Sequence, residues 1–216
     1  YGAVLDGVEI ERFQFSPDGR PGLVVQYRFT NTGNQRRALR FQLAVQTDLL
    51  PVWLSEKIGI TDASDTVVWQ PATRRLVARD TRHRWFAVWG ATTPAGAQRL
   101  PDPPPLSTTG MGATAASSYT VSLPPRDSAT LTFVFAGSTS SSADAGRQFA
   151  AIAKNHAELL KRKKAHYAAL IEQGRIRIPD RKLQQVYDWV RINSEWLVLE
   201  VPGIVRGLTA GLMEYP

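Results

Sequence analysis

The chain has 216 residues, of which 43% are hydrophobic, and its six tryptophans favour a folded core. No run of about eighteen apolar residues occurs, which excludes a membrane-spanning helix. The sequence contains no cysteine, so disulfides, Cys-ligated zinc and thiol catalysis are excluded from this segment. The net charge of +7 raises the question of a nucleic-acid partner.

The first two thirds of the chain alternate between apolar and polar residues with the period of β-strands. Turn signals rich in Pro, Gly, Asn and Asp separate the alternating runs. At least seven strands at this spacing predict an antiparallel β-sandwich over residues 1–137. The predicted strand segments are 4–16, 22–33, 37–49, 65–80 with a central turn, 84–91, and 118–137 with a turn at Pro124-Pro125-Arg126-Asp127.

The segments 22–33 and 37–49 flank a turn signal, Asn31-Thr32-Gly33. Two alternating runs around a short Asn/Gly turn are typical of an antiparallel hairpin, so these two strands are predicted to pair. The stretch 92–117 is rich in Pro, Gly, Ser and Thr and is predicted to be a long surface loop.

The hydrophobic period changes from two to that of a helix at residues 137–144. Ser141 followed by Asp144 resembles a capping box, and Gly174 stands where a helix of about thirty residues would end. Residues 138–177 are therefore predicted to form a long linker helix. Asp180, after a proline, predicts the start of a second helix, which Val201-Pro202-Gly203 is expected to end.

The second predicted helix carries an apolar stripe for which this sequence supplies no partner. An isolated amphipathic helix is marginal in water and needs a surface to pack against. Residues 178–216 are therefore interpreted as the start of a truncated helical domain, whose packing partner is the rest of the same polypeptide. The stripe consists of Leu183, Val186, Tyr187, Val190, Ser194 and Leu197.

Three stretches carry a resemblance to a known family: VVQYRFTNTG…RALRFQLAVQTDL, IPDRKLQQVYDWVRINSEWLVLE and PGIVRGLTAGLMEYP. They resemble the N-terminal region of glycoside hydrolases of the glycogen-debranching (amylo-α-1,6-glucosidase, six-hairpin) type. The resemblance implies a mainly β fold with C-terminal α structure. The expected order is an antiparallel β-supersandwich, a linker helix and the first helix of an (α/α)6 toroid. It also implies a parent enzyme that acts on α-glucosidic bonds of glycogen-type glucans.

The resemblance places Tyr215 and Glu214 in a Gly-rich loop beside the sugar, as candidate substrate-binding residues. Met213-Glu214 stands where the family more usually has Pro-Trp. In the family the catalytic carboxylates come from later toroid loops, so this chain alone is expected to be inactive. No cofactor and no metal are implied, and the glucan would reach the protein through the missing toroid.

Three other groups of residues could suggest a catalytic, metal or sugar-binding site, but each has a simpler interpretation. Asp188 and Glu195 share one helix face, but we interpret them as solvated residues near Arg191 rather than a catalytic pair. The three histidines lack the spacing of a metal site. Aromatic residues at alternate strand positions are typical of a core rather than a sugar platform. These aromatic residues are Trp53, Trp69, Trp85 and Trp89, and the histidines are His83, His156 and His166.

The basic run Lys161-Arg162-Lys163-Lys164 lies around one helix turn, and we interpret it as a solvated face whose long stems cover apolar neighbours. Neither a nucleic-acid nor a membrane partner is therefore expected. Two alternatives to the enzyme-fragment interpretation stay open at the level of sequence. One is a stand-alone carbohydrate-binding sandwich, and the other is a basic scaffold that binds nucleic acid with strong salt dependence.

Overall fold

A computed structural model describes residues 2–50, 59–92, 111–201 and 205–208, with residues 199–201 and 205–208 described by their backbone alone. The chain divides into two compact units, Tyr1–Leu159 and Leu160–Pro216. Among the described residues, no helix combines the length and apolar character needed to cross a membrane.

The described elements are mainly antiparallel strands followed by two helices, which confirms the predicted fold class. A short strand pair follows the second helix. In chain order the elements are β1 Gly2–Leu5, β2 Val8–Phe15, β3 Gly22–Asn31, β4 Arg37–Thr47, β5 Asp65–Gln70, β6 Arg75–Asp80, β7 Phe86–Ala91, β8 Ala113–Leu123, β9 Ser128–Ser138, α1 Ser142–Glu172, α2 Arg181–Trp196, β10 Val198–Val201 and β11 Val205–Leu208.

The first unit is a β-sandwich. One sheet has seven strands in the order β1-β2-β3-β9-β7-β6-β5, and the facing sheet pairs β4 with β8. Side chains from both sheets meet in the core, where the ring of Phe133 lies 5.1 Å from that of Tyr119 and 5.9 Å from that of Phe41. Strands β5 and β6 bury or half-bury alternate residues, as the period of two in the sequence predicts, whereas β8 and β9 each bury four consecutive residues and β1 is exposed throughout.

The first part of α1 covers the other face of the seven-stranded sheet. Phe149 and Ile152 are buried, and the Arg75 guanidinium lies 4.0 Å from the centre of the Phe149 ring. The backbone of β3 comes close at Gly22, where a Cβ atom would lie 2.5 Å from Cδ1 of Ile152 and 2.6 Å from the carbonyl oxygen of Phe135. A glycine is therefore required for the helix to sit this near the sheet.

The predicted hairpin between residues 22–33 and 37–49 is wrong. Strand β3 pairs with β2 and β9, whereas β4 lies in the other sheet and pairs with β8. The physical reason lies at Asn31, whose fully buried amide donates hydrogen bonds to the carbonyl oxygens of Gln35, Leu123 and Pro124. The Asn anchors a crossover between the two sheets instead of a two-strand turn.

The predicted single strand over residues 4–16 is two strands. Asp6 and Gly7 both have positive φ, 47° and 76°, and form a two-residue turn between β1 and β2. An Asp-Gly pair is a strong hairpin signal because both residues tolerate the left-handed conformation. The Asp-Gly signal was present in the sequence, but the alternation of apolar and polar residues on both sides of it led to the prediction of one continuous strand.

The predicted helix starts are confirmed. The Ser141 hydroxyl accepts a hydrogen bond from the Asp144 N–H at 3.1 Å. The Ser141 N–H donates to the Ser138 hydroxyl oxygen at 3.5 Å rather than to Asp144, whose carboxylate accepts from the Ser138 hydroxyl at 2.8 Å. Asp180 caps α2 by accepting from the backbone N–H groups of Lys182 and Leu183.

Of the two helix ends predicted towards the C-terminus, one is confirmed and the other is wrong. Gly174 has a φ of 66° just after α1, as a C-terminal glycine should. Helix α2 ends at Trp196, five residues before the predicted stop at Val201-Pro202-Gly203, because the backbone enters strand β10, which pairs with β11. The Val-rich run here forms a hairpin rather than a last helical turn.

The predicted loop over residues 92–117 is shorter at its C-terminal end, because β8 begins at Ala113 and pairs with β4 from that residue onwards. Residues 93–110 lie outside the described part of the chain.

Candidate functional site

The two residues that the resemblance assigns to sugar binding, Glu214 and Tyr215, lie outside the described residues. Their placement stays a prediction. The described part of the chain presents other candidate surfaces, and they lie in both units.

The histidines do not come together. Within the described residues, no group of three or more His, Cys, Asp or Glu side chains could hold a metal ion. His83 instead pairs with the buried carboxylate of Asp80, at 3.0 Å from Nδ1 to Oδ1. His166 faces Glu195, at 2.6 Å from Nε2 to Oε1.

Asp188 and Glu195, interpreted as solvated residues near Arg191, are both half-buried, and each has a hydrogen-bond partner. The Arg191 guanidinium donates hydrogen bonds to the carbonyl oxygens of residues 170, 171 and 173, at the end of α1. A cation at a helix C-terminus satisfies carbonyls that have no partner within the helix and interacts favourably with the helix dipole. Asp188 accepts a hydrogen bond from Gln184 on its own helix. The polar side of α2 therefore holds the end of α1.

The apolar stripe of α2 faces away from this contact. Leu183, Val186 and Val190 are 59%, 58% and 56% exposed, and α2 contains no buried residue. A helix normally buries its apolar side and exposes its polar side. In α2 the described contacts are made by the polar side instead. The exposed stripe is thus a candidate interaction surface of the second unit.

The basic run of α1 has the surroundings expected of a solvated face. Lys161, Arg162 and Lys164 are exposed, while the Lys163 ammonium lies 5.2 Å from the centre of the Tyr167 ring.

The tryptophans divide between core and surface. Trp89 is 2% exposed and packs in the sandwich with Leu76 and Trp69, as the core interpretation predicts. Trp85 is half-buried and lies outside that cluster. Its ring stacks on the His83 imidazole with centres 4.0 Å apart and planes 18° apart. Trp53 lies outside the described residues.

Trp85 borders a groove of about 550 Å³ where β9 leads into α1, which we name the junction groove. Its remaining apolar lining comes from three segments that are far apart in sequence, and its polar lining comes from the Ser/Thr-rich turn before α1. The apolar residues are Pro21, Leu49, Leu50 and Phe86, and the polar ones are Ser138, Thr139, Ser140 and Asp144.

The polar wall of the junction groove is held by local hydrogen bonds. Arg84 donates from Nε and from a terminal nitrogen to the Ser140 carbonyl oxygen, at 3.1 and 2.7 Å, which fixes the turn. The hydrogen bond from Ser138 and the nearby Arg147 guanidinium hold the pKa of Asp144 below its usual value. The carboxylate is therefore ionised at neutral pH and can accept further hydrogen bonds.

Two buried carboxylates lie opposite each other at one end of the sandwich. Asp65 and Asp80 are cross-strand partners in β5 and β6. Burial raises the pKa of Asp65, against a hydrogen bond from the Leu49 N–H. Burial alone would raise the pKa of Asp80 as well, but backbone N–H groups of His83 and Arg82 donate to it and hold its pKa below the usual value.

The sequence-based reasoning missed the junction groove. It treated residues 137–144 only as the boundary between strand and helix. A signal was present, because a run of hydroxyl side chains ending in an acidic residue offers several hydrogen-bonding groups in one turn. The apolar wall has no such signal, since its residues come from distant parts of the chain.

No protein-family model matches the sequence, and no curated protein matches it. Solved structures do match. One is a protein provisionally assigned as a kojibiose phosphorylase from human microbiome, at a TM-score of 0.50 and 9% identity over 76% of this chain. Another, provisionally assigned as an aldose 1-epimerase from Klebsiella pneumoniae subsp. pneumoniae MGH 78578, matches 71% of this chain at a TM-score of 0.40 and 12% identity.

The chain spans about 21% of the kojibiose phosphorylase structure and about 53% of the epimerase structure. At such low identity, similarity in structure does not establish a shared activity. What the match to the kojibiose phosphorylase shows is the fold, a β-sandwich followed by helix.

Proposed function

We propose that this chain is the sandwich-and-helix portion of a glycoside hydrolase that acts on α-glucosidic bonds of glycogen-type glucans. Three observations support the proposal. The final forty residues resemble glycogen-debranching-type enzymes, the fold resembles that of a protein named as a sugar-active enzyme, and α2 exposes an apolar stripe. In this proposal residues 178–216 begin the (α/α)6 toroid, and the sandwich has a structural role.

The observation that carries the proposal is the exposed stripe on α2. Fully burying a Leu or Val side chain is worth about 1.5–3 kcal/mol, so leaving three of them in water forgoes a large stabilisation. The polar side of the helix is already in use, because Arg191 and Glu195 contact residues of α1. In the first helix of a toroid, the stripe would pack against the next helices of the same polypeptide.

In this proposal the catalytic carboxyl groups belong to other parts of the polypeptide. Glycoside hydrolysis needs two carboxyl groups about 5–10 Å apart on either side of the scissile bond, one protonated and one ionised. Asp65 and Asp80 have pKa values shifted in opposite directions, but both are buried inside the sandwich, where no glucan can enter. Asp188 and Glu195 have partners within the second unit.

The proposal is tested with the complete polypeptide encoded by the reading frame that contains this chain. We expect glucose release from branched limit dextrin or short α-glucans, without added phosphate. Release of glucose 1-phosphate only when phosphate is present would show a phosphorylase instead. Absence of both products over a range of α-glucans would overturn the proposed activity.

A pair of variants in that complete polypeptide tests the role of the stripe. Val186→Asp places a charge on the stripe, and we expect a loss of several kcal/mol in the free energy of unfolding, since a buried unpaired charge is costly. Gln185→Asp makes a similar change at an exposed position beside the stripe and is expected to have little effect. Equal stability of the two variants would contradict packing on the stripe.

A further inference from the structure

We propose that the junction groove is a binding site for a neutral oligosaccharide, with one sugar ring lying on Trp85. The inference deepens the proposed function, and the choice of an α-glucan as the ligand rests on that function. It assigns the sandwich a ligand-binding role of its own, separate from the bond-breaking site. The described wall residues all belong to the first unit.

The two walls of the groove match the two kinds of surface on a pyranose. The C–H face of a sugar ring is apolar and packs on aromatic rings, and its hydroxyl edge needs hydrogen-bond partners. Trp85 and Phe86 with Leu49 and Leu50 supply the apolar wall. A volume of about 550 Å³ lies within the usual range of ligand pockets, about 300–1,000 Å³.

The aromatic wall is held in place before any ligand arrives. Trp85 stacks on His83, and the His83 ring is fixed in turn by the buried carboxylate of Asp80 at 3.0 Å. Ordering a side chain on binding costs about 0.5–1.5 kcal/mol, and a ring that is already fixed avoids most of that cost. This arrangement makes Trp85 a preorganised stacking surface.

The polar wall keeps hydrogen-bonding capacity after its internal bonds are counted. The Asp144 oxygens accept from Ser138 and Arg147, and each carboxylate oxygen has a further lone pair for a sugar hydroxyl. The exposed Thr139 hydroxyl makes no hydrogen bond to another described residue. A hydroxyl and a carboxylate together can accept from and donate to a polyhydroxyl ligand.

The charges of the wall favour a neutral ligand. The one lining carboxylate, Asp144, is paired with the Arg147 guanidinium at 2.9 Å. Arg84 uses two of its five N–H donors on the Ser140 carbonyl oxygen, and it is not among the described residues that line the groove. An anionic ligand would meet the Asp144 charge, and a cation would meet Arg147, whereas a neutral sugar is disfavoured by neither.

Maltoheptaose titrated into the 216-residue chain, followed by intrinsic tryptophan fluorescence, tests the inference. We expect saturable quenching with a Kd in the range of about 0.1–10 mM, which is typical of weak surface sites. Trp85→Ala should weaken binding at least tenfold. Trp196→Ala removes an equally large ring from the exposed surface of the second unit and should leave the Kd unchanged.

A second variant covers the case in which Trp85→Ala disturbs folding. Thr139→Arg fills the groove from an exposed position and should abolish binding with no change in Tm. Quenching that does not saturate, or a Kd unaffected by Thr139→Arg, overturns the inference. Equal affinity for cellohexaose keeps a sugar site but removes the α-glucan assignment. Hydrolysis by the complete polypeptide is a separate readout, so the groove and the proposed function can fail independently.

Discussion

Helix α1 buries Phe149 and Ile152 on the sheet of its own unit, whereas helix α2 leaves Leu183, Val186 and Val190 exposed. Both helices have amphipathic patterns. The first finds its apolar partner within the described chain, and the second contacts its neighbour through polar groups such as Arg191. The difference teaches that an amphipathic pattern predicts a face in need of a partner, but not where that partner is.

Removing a buried residue from α1 should have the largest effect on stability. Phe149→Ala should lower the free energy of unfolding of the first unit by about 3–5 kcal/mol, because it leaves a cavity beneath the helix. Val190→Ala, on the exposed stripe of α2, should change it by less than about 0.5 kcal/mol in this chain. Urea denaturation of both variants measures the difference. Equal losses would mean that the stripe is covered within this chain.

The close approach of α1 to β3 gives a second test. Gly22→Ala should cost about 1–3 kcal/mol, since the added methyl would lie 2.5 Å from Ile152 Cδ1 and 2.6 Å from a backbone carbonyl. Gly146→Ala lies on the same helix with nothing within 4 Å of the added atom, and should stabilise by about 0.5–1 kcal/mol. Thermal melts of the two variants should therefore shift in opposite directions.

Two buried carboxylates make the stability of the first unit depend on pH. The lowered pKa of Asp80 means that its contribution to stability is present above its ordinary value of 3.8 and is lost as pH falls through its folded value. Asp80→Asn should therefore cost about 1–3 kcal/mol at pH 7, as hydrogen bonds to a charged acceptor are lost, and less in acid. The pH dependence of the contribution of Asp65 to stability has the opposite sign. Its raised pKa removes stability as pH rises from 3.8 through its folded value.

The matched variant Asp65→Asn should accordingly gain stability relative to wild type as pH rises. Denaturation midpoints measured from pH 3 to pH 7 follow both changes. Glu195→Gln, at a partly exposed pair in the second unit, is the control and should have only a small effect. A loss on Asp65→Asn that grows with pH would contradict the sign assigned to Asp65.

The smallest expected effect concerns the polar contact of α2. Arg191→Ala removes the donors to the carbonyl oxygens at the end of α1 and should destabilise the second unit by about 1 kcal/mol. Arg191→Lys keeps the charge and should retain part of the effect. Amide hydrogen exchange near residues 173–175 should report the loss, while exchange in the sandwich core stays unchanged. Faster exchange in the sandwich as well would mean that the contact supports both units.

The sequence by itself determined the features that depend on neighbouring residues. Alternation predicts the strands, and Ser141, Gly174 and Asp180 predict the helix ends, because caps and glycine conformations are set within a few residues. The change of period at residues 137–144 likewise predicts the passage from sandwich to helix.

Only the tertiary structure decided which strands pair and which faces are covered. Asn31 is a residue type common in turns, but its buried amide donates hydrogen bonds to the carbonyl oxygens of Leu123 and Pro124, which makes it the anchor of a crossover. Leu49 and Trp85 line the same groove, although nothing in the sequence around either residue predicts that they are neighbours. Strand pairing and packing depend on contacts between segments that are distant in the sequence. A local pattern carries no information on the free energy of such contacts. Periodicity could therefore predict the elements but not their arrangement.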